Sequence, residues 1–542
     1  MQVKSESQAK IIIERIKSND PTLLEFSLRD LKSNPRPDHY QLNSFIYHYN
    51  DEVLIELANS IKNNSTLKTF AIRGMDSLNE AKWTQVGAEA LGLALSEHPC
   101  LEKIDIDLST YQITGDEIIG ILKSLTGEAP IKQLQLSFYA KNPEFINALG
   151  LTLAKNTSLE SIYLRCAPKP QVDYNVETIE TFVTGLMRSK TLRSLKLSNF
   201  PFGISGVGLL AKELVNQSLL RILNLSSSGL NGENVSNLMP VLATHCNYLT
   251  VLNLSYNNLN LAGIQTLAQQ LPLLKRLKTL ELANVNLDQE SLECLIKAVR
   301  HPEVSIQCLS LSSNNLSAKA LPLIKSLITR NKQLKTLHLS FLKLDDSFVN
   351  SIKALLANPE ECFLQALHFS DNLNLSWQSK QDLLLAVRSN PNLCNLHPPG
   401  GTDKLLQNAI QVNYLKAIKK SQADFINSCI ELARFYYPKQ ANNFSILPLE
   451  LILTLMCLTG ENTLKMSQAD IELCAAHILG NFKIRQQLIN IENPKSEKLI
   501  ERWWSKSTRE IYPRVLFSES KNIEHSQENI PEEQSTERCV VM

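Results

Sequence analysis

The sequence has 542 residues, more than one ordinary hydrophobic core organises, so it predicts either several domains or a repeat array. Its 55 Lys and Arg residues nearly balance 54 Asp and Glu residues, which argues against a nucleic acid as the partner. The most apolar stretch, Ile446 to Leu458, is too short and too polar to span a bilayer.

A leucine-rich phrase, L-x-x-L-x-L, recurs every 28 to 34 residues and determines the organisation of the chain. We expect the segment before it, 1–40, to form a helical cap. A degenerate first copy begins at Leu42 and a truncated last copy at Leu393. Side chains alternate along a strand, so the leucines are predicted to point into a core and the residues between them outward. The remaining copies begin at Leu67, Leu101, Ile131, Leu159, Leu192, Leu220, Leu249, Leu277, Ile306, Leu334 and Leu364.

The second half of each copy predicts a helix. After Gly263, for example, apolar residues recur at helical spacing at Ile264, Leu267, Ala268 and Leu271. A strand and a helix in each unit of this length resemble the ribonuclease-inhibitor-like leucine-rich repeat, which also occurs in cytosolic immune receptors and in effectors of intracellular pathogens. The resemblance covers residues 41–400 and implies an α/β horseshoe-shaped solenoid of about 12–13 units, with a parallel inner sheet and outer helices.

The resemblance also implies a role for the polar residue that follows some strands. Asn257, Asn314 and Asn372 occupy this position, where the family's asparagine hydrogen-bonds the turning backbone. Ser228 holds the equivalent place in another unit. Other units depart from the pattern, as at Val285 and Leu342, so looser or differently shaped turns are expected there; Phe200 is a third departure.

Outward residues of stacked parallel strands form columns on the concave face. A protein partner is predicted to bind there, at Tyr163, Arg165, Lys196, Asn224, Asn253, Glu281, His338 and His368. Tyrosine and arginine are enriched among residues that dominate binding energy, whereas the columns lack the Lys/Arg stripe that a phosphate backbone requires. The central column is Ala71, Asp105, Gln135, Tyr163, Lys196, Asn224, Asn253, Glu281, Ser310, His338 and His368, and the flanking columns add Arg73, Asp107, Arg165, Ser198, Ser255 and Ser340.

Two further features leave alternatives open. The pair His338 and His368 is either a metal-binding or pH-sensing pair or simply solvated, and without a nearby acidic or cysteine partner no metal site and no cofactor are predicted. Insertions near Trp83 and from Cys166 to Val176 are either binding loops or tolerated surface bulges.

The cysteines predict a reduced, intracellular protein. Eleven are scattered along the chain without any CxxC pair, so neither a disulfide framework nor a zinc site is expected. Cys100, Cys308 and Cys394 are expected to occupy apolar positions in the repeats.

Residues 401–517 no longer repeat and predict a small all-α domain, part of which caps the last repeat. Within it, Leu447 to Leu458 resembles the start of an F-box, which would make the chain a substrate receptor for a host ubiquitin ligase; a buried core helix is the alternative. Catalytic signatures such as the P-loop, HExxH and G-x-S-x-G are absent from the sequence. No catalytic residues are therefore assigned and the chain is not predicted to be an enzyme, although a cryptic enzyme in this region remains a third class.

Residues 518–542 predict a disordered acidic tail with a CaaX box, Cys539, Val540, Val541 and Met542. A terminal Met favours farnesylation of Cys539 by a host prenyltransferase, and the alternative is a coincidental cysteine. Because one lipid binds membranes only marginally, the folded part is expected to supply a second contact.

Glutamates near the end of the chain resemble the secretion signal of Dot/Icm-type IV effectors, which often combine eukaryotic-like repeats with a prenylation box. This resemblance implies a bacterial effector secreted into a host cell. The predicted function is therefore a leucine-rich-repeat adaptor, prenylated by the host and peripheral on host membranes.

Overall fold

A computed structural model describes residues 14–20, 25–29, 51–73, 84–107, 116–123, 131–138, 143–166, 174–200, 202–316, 320–402, 404–414 and 416–417. The chain divides into two units, Met1–Ala417 and Ile418–Met542. All described residues lie in the first unit.

The described part is one parallel sheet whose successive strands are connected by helices. Thirteen strands form the sheet, in chain order from one edge to the other. The strands are β1(Glu25–Arg29), β2(Thr69–Arg73), β3(Lys103–Asp107), β4(Gln133–Phe138), β5(Ser161–Cys166), β6(Ser194–Ser198), β7(Ile222–Asn224), β8(Val251–Asn253), β9(Thr279–Glu281), β10(Cys308–Ser310), β11(Thr336–His338), β12(Ala366–His368) and β13(Asn395–His397).

Each helix returns the chain to the edge where the next strand begins, so the strands can run parallel. The helices are α1(Asp51–Lys62), α2(Gln85–Ser96), α3(Asp116–Lys123), α4(Pro143–Lys155), α5(Val176–Leu186), α6(Gly203–Leu214), α7(Gly232–His245), α8(Asn260–Gln270), α9(Gln289–Val299), α10(Leu321–Ile328), α11(Asp346–Ala357) and α12(Trp377–Ser389).

The predicted repeats from Leu67 to Leu393 are confirmed, since each of these twelve copies contains a strand of the sheet. Their leucines form one continuous core between sheet and helices. Leu252 and Leu254, for example, have no exposed surface, and the predicted helix face from Ile264 to Leu271 is buried.

The start of the sheet differs from the prediction. The first strand, β1, lies inside 1–40, where only a helical cap was expected, and it pairs in parallel with β2. The phrase LLEFSL from Leu23 fits the repeat, but 44 residues separate Leu23 from Leu67, so the regular spacing does not reveal it. The degenerate copy predicted at Leu42 lies outside the described residues.

The asparagines after the strands bond the turning backbone as the resemblance implies. Asn314 Nδ2 donates to the carbonyl oxygens of Leu282 and Leu311, both at 2.9 Å. Its Oδ1 accepts from the amides of Val285 at 2.9 Å and Leu287 at 3.1 Å, which belong to the preceding repeat. Of the two alternatives expected for the turn at Val285, a looser or a differently shaped turn, the looser one is wrong, because the next repeat supplies the missing side chain.

The turn at Leu342 is held in the same way. Its amide donates to Asn372 Oδ1 at 2.7 Å, while Asn372 Nδ2 donates to the carbonyl oxygen of Leu339 at 2.9 Å. One asparagine thus satisfies buried backbone groups of two successive repeats, so between the copies at Leu249 and Leu364 every second repeat manages without its own.

A helix over residues 404–414 covers the open end of the sheet, as expected for part of the region after the repeats. Leu406 is buried in the core, and Asn413 Nδ2 donates to the carbonyl oxygens of Val387, Asn390 and Leu393. The last repeat therefore has its backbone acceptors satisfied by the capping segment.

The cysteine prediction needs a correction. Cys100 is exposed and Cys308 and Cys394 are partly exposed, whereas Cys166 and Cys246 are buried. Cys100 and Cys394 lie beside the inward leucines of the phrase and Cys308 begins a strand, so none fills an inward position. Separately, none of the helices in the described part of the chain is long and apolar enough to cross a bilayer.

Candidate binding surface on the concave face

The predicted central column is present on the concave face of the sheet, which is the face opposite the helices. Strand register aligns Ala71, Asp105, Gln135, Tyr163, Lys196, Asn224, Asn253, Glu281, Ser310, His338 and His368 in that order. Arg165 lies in the flanking column, between Ser137 and Ser198. All eight residues predicted to bind a partner therefore lie on one continuous face.

The middle of the column pairs an aromatic ring with two opposite charges. Lys196 Nζ lies 5.9 Å from the centroid of the Tyr163 ring, a cation–π distance. Glu281 accepts a hydrogen bond from Asn253 Nδ2. Burial raises the pKa of the Glu281 carboxyl, and the positive charge of Lys196 partly offsets that effect. These partly desolvated polar groups are suited to charge-assisted hydrogen bonds with a protein surface.

The far end of the column carries three stacked histidines rather than the predicted two. His397 on β13 continues the column beyond His368. The ring centroids of His338 and His368 are 4.5 Å apart and those of His368 and His397 are 4.6 Å apart, with interplanar angles of 9° and 18°. His397 was not predicted as a member of the column, because the truncated last copy of the repeat phrase ends at Leu396.

This stack is not arranged to hold a metal ion. Imidazole nitrogens bind metals in the plane of the ring, and three nearly parallel planes do not converge on one point. Within the described ranges, no group of three His, Cys, Asp or Glu side chains has metal-binding geometry.

The position of His368 between two other histidines affects the protonation of its ring. Burial, together with the neighbouring His338 and His397, lowers the pKa of His368 to about 3. The ring therefore stays neutral over the physiological range and offers a flat, weakly polar surface flanked by two further imidazoles.

Acid should consequently destabilise the fold through His368. Below pH 6.5 His368 binds a proton in the unfolded chain, whereas in the folded chain it does not bind one until about pH 3. Stability is therefore lost as the pH falls through this window. We expect His368→Gln to reduce the loss of unfolding free energy between pH 7 and pH 4.5 by about 1 kcal/mol, allowing for partial exposure. Denaturant titration at both pH values measures this. His301→Gln, which removes an exposed histidine elsewhere, should behave like the parent; equal pH dependence in both variants would contradict the assignment.

Two members of the predicted column do not line an accessible surface. Ala71 is 3% exposed and Asp105 is fully buried, with Lys103 Nζ 3.7 Å from its carboxylate. In the flanking column Ser255 is buried and its Oγ accepts the amide of Ala283 at 3.1 Å. Alternation fixes the side of the sheet on which a side chain lies, but neighbouring residues decide whether solvent reaches it.

Several other predictions lie outside the described residues. These are the insertion near Trp83, most of the insertion after Cys166, the F-box-like segment from Leu447 to Leu458 and the CaaX box at Cys539 to Met542. They stay predictions.

Two curated relatives are similar to more than half of this chain. The chain is 27% identical to mouse NACHT, LRR and PYD domains-containing protein 14 over 295 residues, which are 54% of this chain and 29% of that protein. It is 25% identical to pig ribonuclease inhibitor over 318 residues, which are 58% of this chain and 68% of the inhibitor. With the in-register parallel sheet, these similarities decide the fold. The described part of the chain folds as a leucine-rich-repeat solenoid.

No protein-family model matches the sequence. Among solved structures, the solenoid overlaps a chain of the yeast Rad7 and Elc1 complex with a TM-score of 0.36 and 18% identity, covering 61% of this chain and 81% of that one. An internalin from Listeria monocytogenes overlaps with a TM-score of 0.34 and 14% identity, covering 74% and 86% of the two chains. At this level of overlap, neither structure bears on the function of the solenoid.

Proposed function

We propose that this solenoid is a protein-binding adaptor that holds its partner on the concave face. The observation that carries the proposal is the continuous column of partly exposed residues from Tyr163 to His368, in which an aromatic ring, a lysine, two amides, a carboxylate and imidazoles alternate. Such a mixed surface suits a folded protein, whose own surface is mixed, better than a uniform polymer. One curated relative, ribonuclease inhibitor, is named for its action on another protein.

We further propose that the adaptor works at a membrane of a host cell, to which a farnesyl group on Cys539 attaches it after secretion by a bacterium. The proposal is supported by the CaaX pattern of Cys539 to Met542 and by the polar, acidic segment 518–538 before it. A single prenyl chain gives reversible attachment, so the location also depends on contacts made by the folded part.

Removal of the aromatic and arginine anchors tests the concave interface. In the double variant Tyr163→Ala, Arg165→Ala we expect binding to weaken by about 2 kcal/mol or more, because such residues commonly dominate interfaces. Proteins captured from a eukaryotic cell extract by the immobilised parent chain would be identified, purified and titrated calorimetrically against parent and variant.

A matched control comes from the same solenoid. Tyr248→Ala, Arg276→Ala also removes a tyrosine and an arginine, which contact each other outside the concave columns with Arg276 Cζ 4.5 Å from the ring centroid. This control should bind like the parent. Unchanged affinity in the Tyr163, Arg165 variant would place the interface elsewhere, with the insertion from Cys166 to Val176 next in line.

A further inference from the structure

The edge of the sheet where the strands begin carries a concentration of positive charge that the concave columns do not show. Six successive helix-to-strand connections lead into β6 to β11, and they contain eleven cations against the single carboxylate of Glu303. We call these cations the basic edge. They are Arg188, Lys190, Arg193, Arg221, Lys275, Arg276, Lys278, Arg300, Arg330, Lys332 and Lys335.

Backbone hydrogen bonds place these connections side by side. The amide of Arg221 donates to the carbonyl of Arg193 at 2.7 Å. The same ladder continues from Arg221 to Thr250, Lys278, Gln307 and Lys335, and each amide donates to the carbonyl of the residue before it in this series. Five strand steps of about 4.8 Å spread the basic edge over about 24 Å. In the repeats before Arg193, the same ladder position alternates in sign through Lys68, Glu102, Lys132 and Glu160.

Helix capping does not account for most of this charge. A helix C-terminus favours cations only within its last turn. Arg300 is the C-cap of α9, but Lys275, Arg276 and Lys278 lie beyond the 3-10 turn Leu271–Leu273 that follows α8. Ion pairs do not neutralise most of these cations either. In the described part of the chain, Arg193 pairs with Glu160 and Arg330 pairs with Glu361. By contrast, the six connections that leave β6 to β11 at the opposite edge have no net charge, with Asp288 and Asp345 against Lys319 and Lys343.

Exposed apolar side chains stand among the cations. Leu219, Tyr248 and Leu273 lie in three successive connections of the basic edge and are 41%, 41% and 56% exposed. Cations rest against two aromatic rings, with Arg276 over Tyr248 of the basic edge and Lys332 over Phe363 of the next connection at 5.8 Å. A nucleic acid binds by stacking its bases on open aromatic rings, but these rings are already in contact with cations. The aliphatic side chains would also gain little from contact with a nucleic acid.

We propose that the basic edge docks on an anionic membrane surface, with its cations at the lipid headgroups and Leu219, Tyr248 and Leu273 entering the interfacial layer. A row of loops at one sheet edge brings many cations to a plane at once, and each lysine or arginine near an anionic leaflet adds to the attraction. This inference deepens the proposed membrane attachment, because a polybasic surface is one of the second signals that a single lipid chain needs.

The test uses the full chain carrying Cys539→Ser, so that failure of this inference and failure of the prenylation proposal are distinguishable. In low-salt buffer, we expect this protein to sediment with vesicles in which about a third of the lipid is phosphatidylserine and not with pure phosphatidylcholine vesicles, and to be released by high salt. The triple variant Lys275→Glu, Arg276→Glu, Lys278→Glu should lose at least about tenfold in partition coefficient. Leu219→Ser with Leu273→Ser should also weaken binding.

The control reverses the same number of charges outside the basic edge, at the exposed Lys68, Lys132 and Lys155. It should bind like the Cys539→Ser parent, and thermal melting would verify that both triple variants fold. Arg188→Glu with Lys190→Glu provides a second reversal if the first does not fold. The proposal is overturned if vesicles of both compositions bind equally or not at all, or if the control loses as much as the triple variant. It is also overturned if the basic edge retains an acidic protein or a nucleic acid while anionic vesicles do not bind.

Discussion

Replacing the buried Leu254 with aspartate is expected to lower the free energy of unfolding by about 4 kcal/mol. Leu254 has no exposed surface and lies in the core shared by neighbouring repeats. Aspartate would leave a cavity and place a carboxyl group there without partners, so it must either remain protonated or draw water into the core. Because each repeat packs on the next, the damage should spread to both neighbours.

A chemical denaturation curve followed by circular dichroism measures the change. Asn224→Asp introduces the same carboxylate at a partly exposed position of the central column, where residue 224 lies next to Lys196 of the neighbouring strand. This control should unfold within about 0.5 kcal/mol of the parent, as surface substitutions usually do. Equal stability of Leu254→Asp and Asn224→Asp would mean that the inward and outward sides of the strands are assigned wrongly.

Replacing Cys539 with serine is expected to move most of the protein from membranes to the cytosol of a eukaryotic cell. Serine is similar in size but lacks the thiolate that attacks the prenyl donor, so no thioether forms. The parent chain should gain the mass of a farnesyl group at Cys539, which mass spectrometry of the purified protein detects. Cell fractionation of parent and variant then measures the redistribution.

Two controls separate lipid identity from other causes. A farnesyltransferase inhibitor should release the parent, whereas Met542→Leu should favour geranylgeranylation and make the membrane association resistant to that inhibitor. If Cys539→Ser remains on the same membrane in the same amount, the lipid is dispensable and the solenoid, through its concave face or its basic edge, determines the location.

The repeat phrase predicted most of the solenoid because its leucines report directly on a buried, periodic environment. Every copy from Leu67 onward contains a strand, and the outward columns follow from alternation alone. The first strand was missed because the chain between Leu23 and Leu67 is longer than a repeat. Burial of Asp105 was missed because it depends on residues that pack over the strand and not on the strand's own pattern.

Features that depend on two repeats at once were harder to predict. The sharing of Asn314 between its own turn and the turn at Val285 follows from stacking, which no single repeat reveals. The basic edge was missed for the same reason, since no single connection contains more than three cations and the charge is notable only when six connections are aligned. His397 was missed because it extends a column past the last recognised copy.

Site-specific photo-crosslinking tests the central claim, that the concave face binds a protein, most directly. A photoreactive phenylalanine analogue would replace Asn253 in the centre of the column or, as a control, Leu385, which is 58% exposed on α12. After irradiation in eukaryotic cells, the account predicts a discrete crosslinked protein from position 253 and none from position 385. The same crosslinked protein from position 385, with none from 253, would contradict it.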